Sequence, residues 1–238
     1  MTIRINIWSS PRNISTALMY SWRQRADTTV FDEPLYAHYL ASSGRIHPGT
    51  DEVLASQNND GRGVVDDVIL GSYESPIVVF KQMAKHLIDL DRSFLSQCRN
   101  VLLTREPLDM LTSFQKQISD ATIEDTGFVE LVEILETLLA GGDKPIVVDS
   151  KTLLLDPPRV LQQLCARLDV PYDEAMLSWP AGPKPEDGVW AQYWYDAVHR
   201  STGWSPWQAK EDELLPTLAP VLEQARDLYQ RLVPFGIS

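Results

Sequence analysis

The segment Ile3 to Met19 constrains the fold more than any other part of the chain. A short apolar strand, Ile3 to Trp8, runs straight into Ser9-Ser10-Pro11-Arg12-Asn13-Ile14-Ser15-Thr16 and then into a helical pattern. A buried strand feeding a helix through a tight turn is the opening of an α/β unit. Three more apolar runs have strand length: Ile77 to Phe80, Val101 to Thr104 and Ile146 to Val148, with a weaker one at Thr28 to Phe31. Helical patterns lie between them, over Ser15 to Arg25, Leu108 to Ile118, Phe128 to Leu139 and Pro158 to Leu168. Leu131, Ile134, Leu135 and Leu138 fall on one face at the i, i+3, i+4, i+7 spacing. This alternation predicts a three-layer α/β fold: a central parallel sheet flanked by helices on both faces. We expect a single domain over residues 1–238. Residues 171–207 are rich in Pro, Gly and aromatics with little periodicity, and read as a lid or acceptor-pocket segment. A closing helix is expected over residues 216–232.

Charge narrows the function. The 21 Lys and Arg against 33 Asp and Glu give a net charge of −12, which disfavours nonspecific binding to nucleic acid or an anionic membrane. No apolar run reaches the roughly 18 residues of a membrane span. The start lacks the apolar stretch of a signal peptide. Cys98 and Cys165 form no metal or redox motif, so a cytoplasmic setting is expected.

In open α/β sheets ligands bind beyond the carboxyl ends of the strands, so the turn after the first strand is where a site belongs. The first turn of a helix offers unpaired N–H groups and partial positive charge. Ser15 and Thr16 add hydroxyls and Arg12 a forked cation, a set suited to phosphate or sulfate. The alternative is an ordinary helix cap by Ser10 or Asn13 with Arg12 solvated. The string is not a Walker A loop, because Gly-x-x-x-x-Gly-Lys-Ser/Thr is absent.

Pro11-Arg12-Asn13-Ile14-Ser15-Thr16 resembles the Pro-Arg/Lys-Ser-Gly-Ser/Thr-Thr loop of the P-loop-type sulfotransferases, which use 3'-phosphoadenosine 5'-phosphosulfate (PAPS). Val101 to Asp109, with Arg105 after the strand and Ser113 beyond it, is similar to the family's Arg-Asp-Pro...Ser segment. Val147 to Leu154 with Asp156-Pro157 is a weaker match. Phe31 to Leu40 and Pro183 to Gly188 resemble a bacterial-type sulfotransferase-like subgroup, some of whose members carry an aminotransferase-like label. No lysine here sits in a recognisable Schiff-base context for pyridoxal phosphate. The chain departs from the pattern at Ile14, where the family has Gly. A β-branched residue at positive φ is an outlier, so we expect Asn13 to absorb any left-handed turn, or the pocket to be altered.

The resemblance implies a P-loop NTPase-like fold with PAPS as co-substrate, PAP as product and a small-molecule acceptor. Pro11, Arg12, Asn13, Ile14, Ser15 and Thr16 would hold the 5'-phosphosulfate, and Arg12 would meet the charge on the departing bridging oxygen. Arg105 and Ser113 would bind the 3'-phosphate; the alternative for Arg105 is a surface pair with Glu106 or Asp109. Lys184 and Trp190 would belong to a late loop over the nucleotide. The sulfuryl group carries less charge than a phosphoryl group, so a protein cation suffices and no metal is expected. The acceptor must lose a proton. Glu33 is the first candidate base, against a helix-start reading of Asp32-Glu33-Pro34. His38, one turn further on, and His86 are others. Lys81, at the end of a strand, is expected to neutralise the transferring sulfonate or to begin a helix in solvent. A homodimer stays open. The rival readings are a nucleotide-dependent kinase with an atypical loop and a non-catalytic nucleotide-binding protein.

Overall fold

The computed structural model describes residues 2–209 and 213–237. Five strands form one parallel sheet: β1 (Ile3–Ser9), β2 (Thr28–Asp32), β3 (Ile77–Met83), β4 (Arg99–Thr104) and β5 (Ile146–Asp149). Their spatial order is β2-β3-β1-β4-β5. The chain therefore runs from β1 to the edge strand β2, returns to place β3 beside β1 and then crosses to β4 on the other side, which makes the β1/β4 boundary a topological switch point, the place where open α/β sheets bind ligands.

The strands β1, β3, β4 and β5 bury residues on both faces, which is why they read as almost continuous apolar stretches, whereas the edge strand β2 buries only Val30 and Asp32 on one face. Ile5, Ile7, Val79, Val101, Leu103 and Val148 project to one side with Leu18, Met19 and Trp22 of α1 (Ser15–Arg23). Trp8, Phe80, Leu102 and Val147 project to the other side. There they meet Met110 and Leu111 in the helix Pro107–Phe114 and Leu131, Ile134 and Leu135 in the helix Phe128–Ala140. Each such side chain contributes about 1.5–3 kcal/mol on leaving water. A closing helix, Ala219–Leu232, follows a single 3-10 turn at Pro216–Leu218 and packs Ala225 and Leu232 on this second side.

Two local expectations give way. Asp32-Glu33-Pro34 does not start a helix: the next helix, α2 (Tyr36–Ser43), begins two residues after Pro34, and Glu33 has φ 42°. Lys81 does not begin a solvated helix but lies inside β3, with its side chain 2% exposed. A third, smaller cluster joins Tyr36, Tyr39 and Leu40 of α2 to Trp190, Ala191 and Tyr195. Residues 171–207 are ordered by short helical turns at Glu174–Leu177, Ala191–Trp194 and Asp196–His199. Among the described residues no helix is long and apolar enough to cross a membrane.

Candidate active site

The loop after β1 folds by spending its own polar groups inward. The Asn13 side-chain amide donates to Leu103 O at 3.0 Å and to Ser10 Oγ at 2.5 Å, which ties the loop to the end of β4. Ser150 Oγ bonds the carbonyls of Asn13 (3.0 Å) and Thr104 (2.8 Å) from the far side. With Asn13 fixed in this way, its neighbours take up the left-handed turn: Arg12 has φ 62° and Ile14 φ 60°. This corrects the expectation for Asn13. The β-branched Ile14 itself adopts the backbone that a glycine would favour, at a cost of about 1–2 kcal/mol. Ile14 is also the N-cap of α1, which carries no side-chain cap and no acid in its first turn. The hydroxyls of Ser15 and Thr16 have no hydrogen-bond partner among the described residues. The helix end is open to an anion.

Two guanidinium groups converge beside it. Arg105 Nη1 donates to Arg12 O at 2.9 Å, and Arg12 Nε donates to Ser113 Oγ at 3.2 Å. The reading from sequence separates these residues into two clusters; the structure joins them through direct contact. The Arg12 bond leaves the Ser113 hydroxyl proton free to donate elsewhere. Arg105 has Asp109 at 4.0 Å, whereas Arg12 has no ion pair among the described residues. Burial and then the neighbouring Arg105 charge lower the Arg12 pKa. A part-buried cation beside another cation is costly unless an anion joins them.

The third element is a buried ion network. Asp32 and Lys81 are register neighbours on β2 and β3, so they share one side of the sheet. Lys81 Nζ donates to Asp32 Oδ1 at 2.9 Å, to Glu33 Oε1 and to Tyr195 Oη at 2.5 Å. Tyr195 Oη in turn bonds Asp32 and receives Trp190 Nε1 at 3.1 Å. An ammonium has three protons, and all three are taken. Lys81 has none left for a sulfonate, and that expected role is replaced by one of holding Glu33. Burial presses the Lys81 pKa down, but Asp32 and Glu33 outweigh it, so it rises well above that of a free lysine. Burial raises the Glu33 pKa, and Lys81, shared with Asp32, offsets this only in part. The second Glu33 oxygen, Oε2, lies 4.0 Å from His86 Nδ1. That nitrogen is buried and has no hydrogen-bond partner among the described residues. His86 stacks on Tyr36 and Tyr39, and burial followed by the Lys85 charge keeps its pKa well below the usual imidazole value.

One cavity of about 360 Å³ is lined by all of these groups: the 11–17 loop, Arg105, Ser113, Glu33, Lys81 and His86. Its far wall is aromatic and comes from the late segment: Trp179, Trp190, Trp194, Tyr195 and Trp204. That segment is fastened to α1. Tyr20 Oη donates to Asp187 at 2.8 Å, Arg23 pairs with Glu186 at 2.6 Å, and Ser21 Oγ bonds Met176 O at 2.7 Å.

Two predicted residues do not reach the cavity. His38 is consumed by structure: Nε2 donates to Ile88 O at 2.8 Å, and Nδ1 accepts from Gly61 N at 3.2 Å. Lys184 turns back on its own loop and bonds the carbonyls of Pro180 and Gly182, over the Tyr20 ring. Trp190 does line the cavity, on the Glu33 side through Tyr195. Sequence reasoning passed over Asp32 and Ser150, whose partners are distant in the chain. It also passed over Lys85, whose only signal was its place in the turn after β3.

A family model described as a sulfotransferase domain matches residues 3–234, and the chain belongs to that family. Its fold is that of solved sulfotransferase domains. One, from the Synechococcus PCC 7002 olefin synthase, has a TM-score of 0.57 at 16% identity over 94% of this chain and 95% of that one. Another, from the curacin biosynthetic pathway, has a TM-score of 0.55 at 16% identity, covering 94% and 97%. A sulfotransferase from Alicyclobacillus acidocaldarius has a TM-score of 0.56 at 11% identity, covering 98% and 95%. Two Arabidopsis thaliana proteins are much closer in sequence. Branched-chain-amino-acid aminotransferase-like protein 2 is 41% identical over 96% of this chain, and protein 1 is 44% identical over 84%. The alignments span only 41% and 36% of those relatives' own lengths.

Proposed function

We propose that this chain moves a sulfuryl group from PAPS to the hydroxyl or amine of a small acceptor. The observation that carries the reading is the meeting of Arg12 and Arg105 at the uncapped N-terminus of α1, inside one cavity. Two part-buried cations whose one ion pair among the described residues is Arg105 with Asp109 at 4.0 Å fit a ligand of several negative charges. The unpartnered hydroxyls of Ser15 and Thr16 and the N–H groups of the first helical turn suit the 5'-phosphate. Arg105 and the free hydroxyl proton of Ser113 suit the 3'-phosphate.

The step balances without a further reactant. A bond forms between the acceptor oxygen and sulfur, the bond from sulfur to the bridging phosphate oxygen breaks, and PAP leaves. Arg12 stabilises the negative charge that develops on the bridging oxygen. Glu33 takes the acceptor proton, and a raised pKa suits a base that works near neutrality. The acceptor hydroxyl donates to Glu33 Oε2, the carboxylate oxygen that Lys81 does not hold, with the buried His86 Nδ1 4.0 Å from that oxygen. Lys81 positions Glu33, and residues 171–207 supply the acceptor wall. The acidic balance and the two free cysteines support a cytoplasmic setting.

Calorimetry with PAP against Mg-ADP, followed by mass spectrometry of a hydroxyl and amine panel incubated with PAPS, tests the reading. We expect PAP to bind far more tightly and at least one acceptor to gain sulfate. Equal or better binding of Mg-ADP would replace it with a kinase. Binding of PAP with no transfer would leave a nucleotide-binding protein without chemistry.

A further inference from the structure

The turn that follows β3, Ala84–Leu87, brings two polar side chains to the cavity. His86 places its buried Nδ1 4.0 Å from Glu33 Oε2. Its neighbour Lys85 has no counter-ion among the described residues. Among the described residues it makes no hydrogen bond and no ion pair; its one close partner is the Tyr39 ring, 5.2 Å from Nζ. The carboxylates that face it are Glu33, Asp125 and Glu130, and none lies at bonding distance. Glu33 is held by Lys81. Asp125 is engaged by Arg45 at 3.6 Å and by the Thr122 cap. Glu130 Oε2 is buried and unpartnered. Burial accordingly lowers the Lys85 pKa. The other basic side chain on this wall, His47, is bonded through Nδ1 to Tyr36 Oη at 2.7 Å. Among the described residues, the wall formed by Glu33, His86 and Tyr36 therefore contains one cation, Lys85, whose N–H groups make no hydrogen bond.

We propose that Lys85 selects the acceptor by binding a carboxylate on it, so that the chamber takes hydroxy acids. The hydroxyl lies at Glu33 Oε2, the apolar body against Tyr36, Trp190 and Trp194, and the carboxylate at Lys85 Nζ. This inference rests on the sulfuryl-transfer reading for its chemistry, but its binding side is tested separately. A charge-assisted contact of this kind discriminates acid from neutral analogue by about tenfold or more.

The test uses the full chain and matched pairs, each a hydroxy acid and its methyl ester. 4-Hydroxyphenylacetate gives an aromatic pair and 6-hydroxyhexanoate an aliphatic one. Affinity is read by quenching of the tryptophans in the cavity wall, with and without PAP. We expect the acid of at least one pair to bind about tenfold or more tightly than its ester. Lys85→Met should bring that ratio to about one, and Lys85→Arg should restore most of it. PAP affinity should stay within about twofold in both variants, which also reports that they fold. A ratio near one in the wild type for both pairs overturns the proposal, as does a ratio that survives Lys85→Met. Failure of PAP to bind the wild type overturns the donor reading instead, whatever the acid-to-ester ratio.

Discussion

Arg105 donates from Nη1 to the main-chain carbonyl of Arg12 at 2.9 Å, across 93 residues of sequence. The bond joins the end of β4 to the loop after β1 and holds the Arg12 backbone in its left-handed turn. Arg105 is therefore both a candidate ligand for the nucleotide and a brace for the loop that holds its other end.

The two arginines should separate in kinetics. Arg105→Ala should weaken PAP binding by about 1.5–3 kcal/mol, the range for hydrogen bonds to charged groups. Arg12→Ala should lower kcat more than it weakens PAP binding, because its charge matters most when the bridging oxygen departs. Calorimetry and steady-state rates on the same preparations check both. Unchanged turnover in an active Arg12→Ala enzyme would remove Arg12 from the leaving-group role.

Glu33→Gln should lower kcat by about 10²-fold or more with an acceptor of high pKa, and by less with an acidic phenol that needs little help to ionise. The slope of log rate against acceptor pKa, compared between wild type and variant, reads this directly. Parallel slopes would move the base elsewhere.

Lys81→Met leaves Asp32 and Glu33 buried without their shared cation. Removing one partner of a buried pair costs about 3–5 kcal/mol. Urea unfolding should show a loss of that order. A loss below about 1 kcal/mol, typical of exposed pairs, would mean that the network is solvated.

Ile14 allows a comparison of two truncations. Ile14→Ala and Ile14→Gly remove nearly the same packing, but only glycine relieves the left-handed backbone. The glycine variant should be the more stable of the two by about 1 kcal/mol after its chain-entropy cost. Equal or reversed stabilities would show that residue 14 takes another backbone in solution.

Acid should weaken the fold through the half-buried His47 and the buried His86. Burial, and then the Lys85 charge, lowers the His47 pKa from 6.5 to about 4, and His86 is shifted in the same direction. A group with a depressed folded pKa is protonated first in the unfolded chain. Its contribution is complete above pH 6.5 and is lost as pH falls towards 4. Unfolding free energies measured by urea should decline through this window, and His47→Gln should flatten the decline.

Much of the sheet was legible because strand and helix periodicity are properties of neighbouring residues. All five strands lie where apolar runs predict them, and α1 begins at Ser15 as expected. The β1 loop was legible for the same reason, since its hydroxyls, its arginine and the helix start are contiguous. Local order misled at Asp32-Glu33-Pro34, where the pattern of a helix start lost to the Glu33 N–H bond with Lys81 O at 2.8 Å and to the Lys81 pairing. His38 and Lys184 were equally out of reach of a sequence argument. Each found buried carbonyls to satisfy, and an unsatisfied buried donor is more costly than a lost contact with solvent.

The order of residues along the chain thus specified the layers and one turn whose residue types suit an anion, which follow from short-range pattern, whereas the strand order and its switch point were decided by strand pairing. Which polar side chains share the cavity was settled by folding. Lys81 meets Glu33 because β2 and β3 are paired in register, and it meets Tyr195 because the late segment packs back onto α2, 114 residues further along the chain. Charges buried together must neutralise one another, and that condition acts between residues brought close in space, however far apart they are in sequence.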